Sequence, residues 1–254
     1  MPEQLSEATA SIQTGRSLTR RRRRPIRRVA SVILLRTLTC ADDRLSPMKA
    51  TNQFPFRRLC VFCGARHGRR PAYGEAARQL GALLAMRDIE LVYGGGNVGL
   101  MGVVADATLM AGGRVTGVIP QALVGLEVEG ERVEHAGVTR LEIVDSMHTR
   151  KARMAELADG FIALPGGIGT FEELFEVLTW AQLGFHRKPI GLLDTAGYFD
   201  ALLGLCDRAV EEGFLKPLHR GLLLADCDPE TLLSQMADYQ PPAQDAWIRH
   251  AEEL

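Results

Sequence analysis

Two adjacent carboxylates, Glu172 and Glu173, stand behind a glycine-rich run, Pro165-Gly166-Gly167-Ile168-Gly169, with Thr170 and Phe171 between. A carboxylate can stabilise positive charge growing on a sugar carbon, and it can orient or deprotonate a water. The glycines suit a different task. They let the backbone approach a phosphate closely, where the unpaired N–H groups of a first helical turn point at the anion. Together the two features would seat a phosphate on Gly166 to Thr170 and set a glutamate beside its sugar. Upstream lies a second pair of charges, Arg150 and Lys151. Arginine stays protonated at neutral pH and is a poor general acid. Its service would be electrostatic, holding a carboxylate ionised or gripping a nucleotide with two hydrogen bonds. Neighbouring His148, a side chain whose ordinary pKa is about 6.5, offers a base or a structural ring.

Each of these residues also has a plainer reading. Thr170-Phe171-Glu172-Glu173 fits the S/T-x-x-E capping box, in which Thr170 and Glu173 only satisfy backbone donors. The glycine run is neither G-x-G-x-x-G nor G-x-x-x-x-G-K-[ST], so neither standard dinucleotide nor P-loop binding follows. Thr179 fits a helix-packing position as well as a ligand contact. Trp180 and Phe175 can stack on a base or fill a core.

The elements that must position these side chains alternate along the chain. Short apolar runs at Leu59–Cys63, Ile89–Tyr93, Val115–Ile119, Leu141–Val144, Phe161–Leu164 and Pro189–Leu193 read as strands. Helical patterns fall between them, near Tyr73–Met86, Leu100–Met110, Met147–Leu157, from Thr170 onward and Tyr198–Glu211. This predicts an α/β fold, a doubly wound, Rossmann-like parallel sheet in one domain, covered on both faces. Ligands bind such sheets beyond the C-terminal strand ends. Gly64, Gly94, Gly95, Gly96 and Gly166 to Gly169 all fall there.

Several of these runs occur together in a known family. Pro165 to Glu173 matches P-G-G-x-G-T-x-x-E, and M-H-T-R-K-A-R-M stands at Met147–Met154. C-V-F-C-G-A runs from Cys60 to Ala65, L-V-Y-G-G-G-N-V-G-L-M-G from Leu91 to Gly102, and W-A-Q-L-G from Trp180 to Gly184. Over residues 57 to 220 the chain resembles the Lonely Guy family of nucleoside 5′-monophosphate phosphoribohydrolases, long mislabelled as lysine decarboxylases. The resemblance implies a hydrolase that cleaves a purine nucleoside 5′-monophosphate, AMP or an N6-substituted (cytokinin) form, to free base and ribose 5-phosphate. It implies Arg150 and Glu173 as catalytic, with Lys151, Gly95, Gly96, Gly166, Gly167, Ile168, Gly169, Thr170, Phe171, Glu172 and Thr179 at the substrate. It also implies a homodimer with no metal and no cofactor. The family carries a further substrate glutamate, which Glu127, Glu129, Glu131 or Glu134 could match within the polar stretch 121–138. That stretch is a few residues longer than usual. The alternative is a nucleotide- or cofactor-binding carrier on the same fold, as in molybdenum-cofactor carrier proteins, which would lack the Arg150 and Glu173 pair.

Composition sets outer bounds. Net charge is −1, with 46% hydrophobic and 24% charged residues, ordinary globular values. The balance is uneven: residues 1–54 hold eleven Lys and Arg against four Asp and Glu, and the remainder is acidic. Arg20 to Arg24 precede Val29–Leu35, an apolar run ended by Arg36 and too short for a signal-peptide core. No recognition module accompanies the arginines, so no nucleic-acid partner is expected. No stretch approaches the ~20 apolar residues that span a membrane. The five cysteines are odd in number and scattered, which fits a reducing cytoplasm. Cys60 and Cys63 lie inside a strand, where buried thiols are expected instead of redox chemistry. The expected organisation is a disordered basic extension over 1–54, with Met48 as the functional start, a catalytic domain over 55–225, and a tail over 226–254.

Overall fold

The computed structural model describes residues 54–128 and 131–242, which lie within one compact unit of the chain. The basic extension up to residue 53, Glu129, Gly130 and the last twelve residues fall outside the described residues. Elements run β1 (Arg58–Phe62), α1 (Pro71–Met86), β2 (Glu90–Tyr93), α2 (Gly99–Met110), β3 (Val115–Pro120), β4 (Glu127–Val128), β5 (Glu131–Arg132), β6 (Arg140–Val144), α3 (Met147–Leu157), β7 (Gly160–Ala163), α4 (Ile168–Leu183), β8 (Ile190–Leu193), α5 (Asp200–Glu211), α6 (Pro217–Arg220), β9 (Leu223–Asp226) and α7 (Pro229–Ala237). Seven strands form one parallel sheet in the order β6-β3-β2-β1-β7-β8-β9, while β4 and β5 make a small antiparallel hairpin. This is the doubly wound α/β fold that the alternation of apolar runs predicts.

The sheet is buried on both faces because its strand residues alternate between two cores. Leu59, Val61 and Cys63 join α1, α2 and α7 on one face. Cys60 and Phe62 join α3, α4 and Phe199 on the other. Their spacing of three therefore sends Cys60 and Cys63 to opposite faces, and both are free, buried thiols. Burial pushes both thiol pKa values up.

Two boundaries differ from the sequence expectation. The stretch expected as a tail from 226 holds α7, capped by Asp228 through its bond from Thr231 N, with Leu232, Leu233 and Met236 fully buried. Burial of each such side chain is worth about 1.5–3 kcal/mol, which suffices to dock a nine-residue helix. The short apolar run at Leu222–Ala225 supplies β9, the sheet's last strand. The second difference is at α4, which begins at Ile168 and not at Thr170. Among the described residues no helix is long and apolar enough to cross a membrane.

Candidate active site

Chain order reverses between β1 and β7: from β1 the sheet grows outward through β2, β3 and β6 on one side, and through β7, β8 and β9 on the other. At such a switch point the loops beyond the two strands diverge and leave a crevice. Here the loops after β1 and β7 are tied by Gly64 N donating to Pro165 O at 3.1 Å. Above them opens a cleft of about 340 Å³, lined by Gly64, Ala65, Arg66, Gly68, Tyr73, Pro165, Gly166, Gly167 and Tyr198. Arg66 is exposed and has no side-chain partner among the described residues. Tyr198 donates its hydroxyl to Gly166 O and so braces the glycine turn from behind.

The N-terminus of α4 faces this cleft. Its N-cap is Gly167, no side chain caps it, and no acidic residue lies in its first turn. Its first N–H groups are thus left for solvent or a ligand. Ile168, Gly169, Thr170, Phe171 and Glu172 belong to the helix itself and not to the turn before it. This removes the capping box: Thr170 sits inside the helix, buried against the turn, where a Cβ on Gly166 would meet its Oγ1 at 2.1 Å. A Cβ on Gly167 or Gly169 would meet nothing within 4 Å. Neither residue has a positive φ, so the protein's own packing gives no reason for glycine at either position.

Glu173, one residue further, turns inward. Its Oε1 lies 3.2 Å from Nη1 of Arg150, and both side chains are only about 10% exposed. Arg150 reaches it from the first turn of α3, which Ser146 caps by accepting from Thr149 N at 3.1 Å. Arg150 Nε also donates to Val118 O within β3 (3.2 Å), and Nη1 lies against Met147 Sδ. A third surface holds the guanidinium: a Cβ on Gly94, just past β2, would lie 2.0 Å from Nη2. Gly94 is therefore required by the close approach of the arginine. Gly95, at φ +73°, turns the chain away from β2 toward Gly96.

The electrostatics of the pair are opposed. Burial pushes the Glu173 carboxyl above the ordinary carboxylate range, and the Arg150 charge only partly pulls it back. Desolvating such a pair costs several kcal/mol per ion, so it is weak as a device for stability. A buried carboxylate whose pKa is raised is instead a candidate for chemistry. It can stabilise a cationic sugar carbon on one face and accept a proton from water.

Not all the expected site residues converge on this point. Lys151, also buried, directs Nζ to Glu172 and to Glu176 (3.0 Å), tying α3 to α4. Burial alone would lower its pKa, but these two carboxylates outweigh that and raise it, keeping the amine charged. Thr179 is exposed and donates to Phe175 O at 2.7 Å. Six residues beyond Glu173, it lies about 9 Å further along the helix axis, out of reach of the Arg150–Glu173 pair. His148 is exposed on the first turn of α3, Phe175 is 39% exposed, and Trp180 packs against the core. Of the four loop glutamates, Glu127 and Glu131 lie in the β4–β5 hairpin. Glu134 pairs with Gly96 in an isolated bridge, and its carboxylate accepts from Gly125 N at 3.0 Å. Sequence reasoning missed Arg66 and Tyr198. Arg66 was findable as the first charge after the strand-ending Gly64-Ala65, whereas nothing near Tyr198 in sequence points to Gly166.

Comparison with known proteins bears on this geometry. The family model described as "Possible lysine decarboxylase" matches residues 101–236, more than half of the chain. Cytokinin riboside 5′-monophosphate phosphoribohydrolase LOG7 of Arabidopsis thaliana is 51% identical over 186 residues, 73% of this chain and 83% of that protein. The LOG1 enzyme of the same plant is 48% identical over 73% and 85%. The chain belongs to the Lonely Guy family. Among solved structures, the molybdenum cofactor binding protein of Rippkaea orientalis superposes with a TM-score of 0.53 at 21% identity, covering 71% of this chain and 95% of that one. A molybdenum cofactor carrier protein of Chlamydomonas reinhardtii gives 0.51 at 19%, over 70% and 93%. At those identities the carriers share the fold alone, whereas the Lonely Guy enzymes share half of the sequence.

Proposed function

We propose that this chain is a phosphoribohydrolase that cleaves purine nucleoside 5′-monophosphates, AMP or N6-substituted forms, to free base and ribose 5-phosphate. The observation that carries the reading is the buried Arg150–Glu173 pair beside an uncapped helix N-terminus, in a chain half identical to enzymes named for that reaction. The 5′-phosphate takes the N–H groups at Gly167 to Thr170, with Arg66 supplying positive charge from the opposite wall. Gly95 and Gly96 shape the loop below the sugar. As the bond from C1′ to the base nitrogen lengthens, its electron pair leaves with the base and C1′ becomes cationic. Glu173 faces that charge, and Arg150 keeps it ionised until it accepts a proton from the attacking water. The water oxygen bonds to C1′, and the proton that Glu173 took passes through solvent to the departing nitrogen, which restores the carboxylate.

Lys151 and Glu172 serve as a positioning tie between the two catalytic helices, with Phe171 filling the space behind the turn. A decarboxylase working through a Schiff base needs a lysine free to meet its cofactor, whereas Lys151 is tied to Glu172 and Glu176 and Lys188 to Ala155 O. The carrier alternative lacks support of the same kind, since it rests on fold likeness alone. The protein is further read as cytoplasmic, from its scattered free cysteines, and as a homodimer, a reading supported by exposed Ile168 and Phe175 on α4, where a second copy would also bring Thr179 to a ligand.

Incubating purified protein with AMP, an N6-substituted AMP and adenosine tests the activity. Free base and ribose 5-phosphate should form from both nucleotides, with adenosine slower by 10²-fold or more, because binding energy from the remote phosphate is used at the reacting bond. Equal rates with adenosine and AMP would contradict the reading.

A further inference from the structure

Between β3 and β6 the chain leaves the sheet, and its return leg runs alongside the glycine loop that follows β2. Asn97 N donates to Val133 O at 2.7 Å, His135 N donates to Gly95 O at 3.0 Å, and Gly96 faces Glu134 in an antiparallel bridge. The other side of that loop carries the Arg150 guanidinium, pressed on Gly94. The five-residue loop from Gly94 to Val98 thus separates the return leg from Arg150. The excursion is also closed on itself, since Val133 N donates to Leu126 O (2.9 Å) and Glu134 accepts from Gly125 N.

A side-chain brace fixes where this closed unit sits. The ring of His135 is 7% exposed. Its Nδ1 accepts from Gly137 N at 3.1 Å, which leaves Nε2 as the protonated nitrogen, 3.0 Å from Asp106 Oδ1. Asp106 stands on α2, the helix that the glycine loop leads into, and its side chain is 56% exposed outside the cleft. Both ring nitrogens are engaged, so His135 has no position left for a substrate proton.

Resting on the phosphoribohydrolase reading, we propose that His135, held by Asp106, is a positioning residue. It fixes the return leg, residues 132–137, as a wall behind Gly95 and Gly96, and the brace sets how tightly nucleotide binds at that loop while leaving the bond-breaking step alone. Loss of the brace lets the wall shift against the glycine loop, at a cost on the scale of one charge-assisted hydrogen bond.

Asp106→Ala is the informative variant because Asp106 touches no residue of the site and is exposed enough to replace without unfolding the chain. Its KM for AMP should rise about tenfold with kcat within about twofold of wild type. Asp106→Asn keeps an oxygen for Nε2–H and should stay near wild type. His135→Ala should match or exceed Asp106→Ala, and the double variant should be no worse than His135→Ala alone. Amide hydrogen exchange over 132–137 should quicken by about tenfold in Asp106→Ala and not in Asp106→Asn. Wild-type KM and exchange in Asp106→Ala would overturn the proposal, as would a fall in kcat at unchanged KM. Should the wild-type protein leave AMP intact, the functional reading fails by itself. The brace is then judged on exchange and on AMP binding by calorimetry, where an unchanged Asp106→Ala rejects it.

Discussion

On the proposed reading Glu173 and Arg150 serve the reaction more than the fold, and the two roles separate experimentally. Glu173→Gln keeps an oxygen for Arg150 and removes only the charge. Turnover should fall by roughly 10²-fold, the usual scale for a lost base or electrostatic stabiliser, with the melting temperature little changed. Near-wild-type turnover would end the assignment. The pH dependence has a definite sign. Glu173 acts ionised, so activity is lost as pH falls through its raised pKa, and the acidic limb lies above the ordinary carboxylate range. Arg150→Ala removes the opposing charge and should move that limb further up as well as lowering turnover. In stability, a carboxyl raised on folding contributes most below its unfolded pKa and loses that contribution as pH rises through the folded value. Glu173→Gln should therefore gain on the wild-type melting temperature across that window. A pH–rate profile of the three proteins, with melts at each pH, checks all of this.

At the scale of elements, the glycines divide by what surrounds them. Gly169 lies in the first turn of α4 with open space where its Cβ would be. Alanine there should favour the helix by up to ~1 kcal/mol and raise the melting temperature by a few degrees. The same methyl group would occupy the phosphate seat, so KM for AMP should rise by an order of magnitude while adenosine is unaffected. Gly94→Ala is the opposite case. Its methyl would collide with Arg150 Nη2, so turnover should drop by tenfold or more even though Gly94 touches no ligand. Steady-state kinetics with melting curves on both variants tests the division. If Gly169→Ala bound AMP like wild type, the phosphate would have to sit elsewhere.

For the whole molecule, all seven strands of the parallel sheet lie within the described residues, and both of its faces are covered. A chain beginning at Met48 should therefore keep full activity, an unchanged melting temperature and a dimer's mass by light scattering. A large loss of activity or stability would mean that residues 1–47 pack on the body. A monomer's mass at full activity would remove the homodimer. The acidic balance of the body also gives the exposed run Arg66, His67, Arg69 and Arg70 weight, since it places positive charge at the cleft rim where an anionic substrate must enter.

The sequence by itself determined the alternation of strand and helix, the burial of the sheet on both faces, and the place of the glycine turns beyond the strand ends. All of these follow from local period and composition, which act over a few residues. It also carried the candidate chemistry, because the motif runs containing Arg150 and Glu173 are contiguous. Four things needed the tertiary structure. The start of α4 at Ile168, which dismisses the capping box, depends on Tyr198 and Thr170 bracing the turn from outside it. The docking of α7 depends on a core that Leu59, Ile162 and Leu193 bring together from three separate strands, β1, β7 and β8. Lys151 turns to Glu172 and Glu176 because α3 and α4 lie side by side, which no spacing in the sequence specifies. The meeting of Arg150 with Glu173 is the clearest case. Twenty-three residues separate them, and only the crossover through β7 brings the first turn of α3 and the second turn of α4 together, out of water, where their charges act strongly on each other.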